Sequence, residues 1–235
     1  MKNYLPSMKV AAFIGPAILL IAIFYFLPAI GTIVLSFTNL GLDLQGSFVG
    51  LSNYFYTFSD PLIGKVLLNT IVYVFFTLLF FNVGMALILA ILTSYTTRKW
   101  SILFRLIWLL PRMSPPLVYI TIWRFLTDPS KYGALNVIRM DLFGAKSAMS
   151  VAAQHPWMLI IIVNGFIGAS MGMLVFASSI ESIPKDYLRA ARVDGASEWK
   201  IVKKIILPLI RWPIMFITIY QTLALLTSFK YILAL

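Results

Sequence analysis

The chain has 235 residues, 60% of them hydrophobic and 11% charged, with a mean hydropathy of +0.91. A soluble domain carries roughly 25% charged residues, so this composition excludes a soluble fold and implies an all-α integral membrane protein. The net charge of +11 would suggest nucleic acid in a soluble chain, but the lysines and arginines sit in loops beside apolar segments, which orientation in a membrane explains without a nucleic-acid partner.

Five apolar segments follow one another, at about residues 10–37, 66–93, 102–126, 158–180 and 205–226. Each approaches or exceeds the roughly 20 residues that a helix needs to cross a bilayer. The first is too long for a signal peptide and no small-residue cleavage site follows it. It therefore reads as an anchor that stays, with residues 1–65 forming an N-terminal transmembrane helix and an outer loop. In the third segment Arg112 lies between Pro111 and the pair Pro115-Pro116. Prolines free backbone carbonyls, and irregular backbone at membrane depth is tolerated where it lines a cavity or packs on protein. Arg112 is low in its span and can snorkel to the inner surface, so it is expected in a structural or gating role.

The stretch 183–208 lies between two apolar segments and is dense in charge. Pro184 suits a first helical turn, and Ala190 and Ala191 let another backbone approach closely. Gly195 is the natural helix stop, because it can take positive φ. Ser197 can cap a second helix with Glu198 in its first turn. Trp199, Val202, Ile205 and Ile206 are expected on one face of that helix, with Lys200, Lys203 and Lys204 opposite. That pattern fits a helix lying at a membrane surface. The plainer alternative is a solvated basic loop.

Lysine and arginine set the orientation. An N-terminus inside puts twelve basic residues on the cytoplasmic side (Lys2, Lys9, Arg98, Lys99, Arg105, Lys185, Arg189, Arg192, Lys200, Lys203, Lys204 and Arg211) against five outside (Lys65, Lys131, Arg139, Lys146 and Lys230). The N-terminus and residues 183–204 are thus expected in the cytoplasm.

The 183–208 stretch resembles the cytoplasmic coupling motif of ABC importer permeases, a Glu-Ala-Ala followed by a glycine and then Ile-x-Leu-Pro. It appears here as Arg189-Ala190-Ala191, then Asp194-Gly195-Ala196, then Ile205-Ile206-Leu207-Pro208, with Arg189 where the family has glutamate. Two more stretches are similar to the carbohydrate-type permeases. One is Leu68-Asn69-Thr70. The other is the series Phe104-Arg105, Leu110-Pro111, Pro115-Pro116, Trp123-Arg124-Phe125, Asp128-Pro129 and Tyr132-Gly133-Ala134-Leu135-Asn136.

The resemblance implies a type I ABC importer transmembrane domain over residues 66–235, with about six spans in the full protein and five or slightly more here. The chain stops at Leu235, just after an apolar run with a polar step at Ser228 and Lys230, and the family normally has at least one more span here, so a further span is expected. The implied function is passage of a sugar or related solute across the cytoplasmic membrane. The implied partners are a second permease subunit, two ATPase subunits, an extracytoplasmic solute-binding protein and membrane lipid. Arg189, Ala190, Ala191, Asp194, Gly195, Ala196 and Glu198 are the implied ATPase-coupling residues. The resemblance places sugar contacts on the fourth and fifth spans, which makes Asn164 and Gly168 candidates for the substrate pathway. Gln221 and Ser228, seven residues apart on one face of the fifth span, join them. Asn82, Ser114 and Thr222 are further intramembrane polar residues, for which helix–helix hydrogen bonding is the plainer reading. Phe166, Phe176 and Tyr220 could offer aromatic surface to a sugar ring.

No glycine-rich phosphate loop ending in lysine occurs, so ATP and magnesium are expected on a separate ATPase and no cofactor in this chain. The lone histidine, His155, has no carboxylate cluster to support a metal site. With no cysteine there is no disulfide, thiolate site or cysteine nucleophile. Asp43, Asp60, Asp128 and Asp141 fall in outer loops, where they could touch a soluble partner. No Asp or Glu lies within a span, and Glu181 only borders one. An ion-coupled secondary transporter or a membrane enzyme therefore has little chemistry to use.

Overall fold

The computed structural model describes residues 8–41, 46–229 and 232. Lys2, Asp43, Lys230 and Leu235 lie outside them. The chain divides into two compact units, Met1–Leu67 and Leu68–Leu235.

In the first unit a long helix, α1 (Val10–Leu35), is apolar on every side. None of its described residues is buried, the state expected of a helix whose solvent is lipid. A short helix, α2 (Ser52–Ser59), is tied to the end of α1 by polar contacts. Asn53 Nδ2 donates to the carbonyls of Ser36 and Thr38 at 2.9 and 2.8 Å. Thr38 and Phe48 form an isolated antiparallel bridge.

α3 (Ile63–Ser94) carries on into the second unit. It is followed by α4 (Arg98–Met113), α5 (Pro116–Leu126) and α6 (Ala134–Asp141). Then come α7 (Pro156–Glu181), α8 (Lys185–Val193), α9 (Glu198–Leu209) and α10 (Arg211–Thr227). Among the described residues, α1, α3 and α7 are long and apolar enough to cross a membrane, and α9 with α10 makes a fourth if that bent pair is one span.

α7 is the centre of the unit. The backbone of α3 lies against its glycines. A Cβ on Gly172 would come within 2.5 Å of the Asn82 carbonyl oxygen and 2.8 Å of Ala86 Cβ. The Cα faces of Gly165 and Gly168 are covered by the side chains of Phe81 and Asn82. Such small-residue seams let membrane helices gain van der Waals contact where no hydrophobic force separates helix from lipid. Residues Thr77–Met85 of α3 form a π-helical stretch. Its i to i+5 repeat turns Thr77 and Asn82 towards the same face.

Two expected spans differ in the structure. Segment 102–126 is two helices, because Ser114 and Pro115 are extended with ψ of 143° and 140°. A residue before proline is driven out of the helical region, and here two prolines follow in succession. Segment 205–226 is also broken: its first residues belong to α9, and the chain bends by 68° before α10. Pro213 has no N–H to offer the Leu209 carbonyl, so the helical ladder lapses at Ile210.

Candidate functional site

Residues 183–208 fold as their local signals dictate. Gly195 has φ +75° and ends α8 in a Schellman motif. Its N–H donates to the Arg192 carbonyl at 3.0 Å, and the Ala196 N–H donates to the Ala191 carbonyl at 2.9 Å. Ser197 Oγ accepts from the Lys200 N–H at 3.4 Å and starts α9. Arg192 clamps Glu198 across the turn with bonds of 2.8 and 3.3 Å. That clamp, with the Tyr95 hydroxyl also reaching the carboxylate, holds Glu198 below the usual carboxylate range. Burial and the neighbouring carboxylate push the Tyr95 phenol up.

The loop has an anchored side and a free side. Ala191 and Ala196 pack on the core beside Leu188. Arg189, Ala190, Asp194, Gly195 and Glu198 are exposed. The Arg189 guanidinium has only a loose contact of 3.5 Å with the more exposed Asp186.

The apolar face of α9 is placed differently from the sequence expectation. Ile201, Val202 and Ile206 are buried against Ala86, Ala90, Met173, Ala177 and Ile180, whereas Trp199 is 73% exposed. Val202 and Ile206 are buried and Ile205 packs beside them as expected, but Ile201, not Trp199, completes the buried face. It faces protein, not a lipid surface.

Asn164, Gly168, Gln221 and Ser228 line one cavity of about 430 Å³, with Arg112, Ile167, Tyr220 and Thr227 among its other walls. Two of these polar side chains are held. Asn164 Nδ2 donates to the Tyr73 hydroxyl. Gln221 Nε2 donates to the Gly168 carbonyl at 2.9 Å and ties α10 to α7. The space left by the α7 glycines is taken by α3, so Gly168 meets the cavity by its edge and carbonyl. Ser228 lies past the end of α10 with ψ of 116°, not on a helical face shared with Gln221. Of the three aromatic candidates only Tyr220 lines the cavity. Phe176 is fully buried in the core, and Phe166 stacks on Trp108 with centroids 4.6 Å apart.

Sequence reasoning missed two features. Arg112 is on the cavity wall, beside the residues expected to meet solute. Arg105 pairs with Glu181 at 2.5 Å and joins α4 to the end of α7. The signal for that pair was present: Glu181 is the acid that borders a span, and Arg105 lies at the opposite end of its own segment. The described residues hold no group of three or more His, Asp or Glu able to bind a metal.

Residues 82–233 match the family of binding-protein-dependent transport system inner membrane components. A probable ABC transporter permease protein of Pyrococcus horikoshii is 32% identical over 206 residues, covering 86% of this chain and 69% of that relative. The lactose transport system permease protein LacF of Rhizobium radiobacter is 27% identical over 218 residues, covering 92% of this chain and 72% of the relative. The crystal structure of a bacterial ABC transporter involved in the import of the acidic polysaccharide alginate shares the fold. Its TM-score is 0.81 at 22% identity, over 97% of this chain and 77% of that one. Residues 183–208 and the residues that line the cavity fall inside one matched region, and this chain belongs to the binding-protein-dependent inner-membrane permeases of ABC importers.

Proposed function

We propose that this chain is the permease subunit through which a sugar or related carbohydrate enters the cell, driven by ATPase subunits docked on residues 183–208. The observation that carries this reading is the position of α7. One rigid helix bears Asn164 and Gly168 on the cavity, and Ile180 under the coupling loop. Sixteen residues separate Asn164 from Ile180, about 24 Å at 1.5 Å per residue. The names of relatives such as LacF and the maltose/maltodextrin permease MalF of Escherichia coli, 30% identical over 168 residues, support a carbohydrate.

Residues 66–235 form the transport domain and residues 1–65 the anchor. The N-terminus and the loop at 183–204 face the cytoplasm. The exposed Arg189, Ala190, Asp194, Gly195 and Glu198 meet the ATPase, while Ala191 and Ala196 seat the loop on the core. Two ATPase subunits carry ATP and magnesium, and a second permease completes the pathway. A solute-binding protein delivers substrate outside. Nucleotide binding then biases the bundle between outward- and inward-facing arrangements, which requires that it favour one of them. A self-sufficient secondary transporter is not supported, because the family is one of binding-protein-dependent systems.

The test is purification in mild detergent, identification of the chains that come with it, and uptake in proteoliposomes with and without ATP. An ATPase should co-purify and uptake should need ATP. Gly195→Pro cannot adopt the positive φ and should release the ATPase while leaving the chain in the membrane. Uptake without ATP, or normal transport by Gly195→Pro, overturns the reading.

A further inference from the structure

We infer that the solute carries a negative charge, held by Arg112. This inference rests on the carbohydrate-importer reading for the role of the cavity and adds the chemical class of its ligand. Arg112 is the one charged residue among those lining it, and no acid shares the wall. Its guanidinium forms no ion pair or hydrogen bond with any described residue. Arg105 is paired with Glu181 and Arg192 with Glu198, whereas no acid pairs with Arg112 among the described residues. A guanidinium offers five N–H donors and no acceptor. At membrane depth, charges pair with one another or serve a pathway. The planar fork of arginine fits a carboxylate or phosphate with two parallel bonds.

The rest of the wall suits the body of such a solute. Gln221 Nε2 is bound to the Gly168 carbonyl, so the amide oxygen is left to accept from a hydroxyl. The hydroxyls of Ser228 and Thr227 and the ring of Tyr220 lie on the same wall. One fixed cation among hydroxyl and amide groups is the arrangement that recognises an acidic sugar or a sugar phosphate. Arg112 is exposed on the cavity wall, so it can meet an anion without first giving up another contact, and a neutral sugar gains nothing from it.

The assay uses the whole importer with its binding protein in proteoliposomes. It is presented with a defined mixture of galactobiose, digalacturonate, glucose 1-phosphate, glutamate and glycine betaine, and the solutes accumulated with ATP are identified by mass spectrometry. Uptake of digalacturonate or glucose 1-phosphate without galactobiose is the expected result, and which of the two enters tells carboxylate from phosphate. Arg112→Gln should lower that uptake by about tenfold, the worth of one hydrogen bond to a charged group. Arg112→Lys keeps the charge without the fork and should fall between the two. Accumulation of galactobiose at a rate equal to the anions, or of no anion at all, overturns the inference and leaves the importer reading standing. Anion uptake that both Arg112 variants retain in full also overturns it. Uptake of glutamate without either acidic sugar would uphold the charge requirement and sink the carbohydrate reading.

Discussion

Two buried asparagines show how differently one side chain is used in two regions of this molecule. Asn136, 2% exposed, is the hub of the loop between α5 and α7. Its Nδ2 donates to the carbonyls of Asp128, Ser130 and Met149, each at 3.0 Å, and its Oδ1 accepts from the Met149 N–H at 2.9 Å. Asn82 is wholly buried at the seam of α3 and α7, and neither of its amide atoms has a partner among the described residues. The first fills its hydrogen-bonding capacity and fixes an irregular loop. The second acts by shape, closing over Gly168. Irregular backbone needs outside partners for its N–H and C=O groups, whereas helices satisfy their own and ask only for fit.

This contrast can be broken most severely at the seam. In Gly172→Leu the first added carbon alone meets a backbone oxygen that cannot swing away. The expected cost exceeds the ~1–3 kcal/mol of ordinary overpacking, seen as loss of monodisperse protein after solubilisation. Next in size is Asn136→Ala, which strands three carbonyls and one N–H and should cost about 2–3 kcal/mol. It would be read as a fall in apparent unfolding temperature in detergent. Asn82→Leu tests the other half of the comparison. Its amide has no bond to lose, so stability should stay within about 1 kcal/mol of the parent. A drop as large as that of Asn136→Ala would show that Asn82 is held by hydrogen bonds after all.

The smallest effect belongs to the exposed clamp between α8 and α9. Arg192 lowers the Glu198 pKa, so the carboxylate contributes stability above its ordinary titration range. That contribution is lost as pH falls through the lowered value. Glu198→Gln should therefore unfold slightly earlier than the parent at neutral pH, with the difference vanishing in acid. A gap that widens on acidification would contradict the clamp.

Much of the coupling segment was legible because its signals are local. The helix stop at Gly195 and the cap at Ser197 depend on residues a few positions apart, and capping chemistry is complete within one turn. The prolines at 111, 115 and 116 were visible too, but a count of apolar residues treats 102–126 as continuous, and only the extended Ser114 and Pro115 show the break. Trp199 was placed on the wrong face because the helical repeat leaves both it and Ile201 near the edge of the stripe, and only the packed core shows that Ile201 is the one buried.

By itself the sequence determined the membrane setting, the approximate segments and the helix–glycine–helix loop, since hydropathy and turn chemistry are read from neighbours along the chain. Tertiary structure alone decided that Asn164, Gly168, Gln221, Ser228 and Arg112 share one wall, that Arg105 meets Glu181, and that α3 fills the glycine seam of α7. Those contacts join residues tens of positions apart. In a bundle where every helix is apolar, which face meets which is set by how closely the backbones can approach, and that is a property of the packed whole.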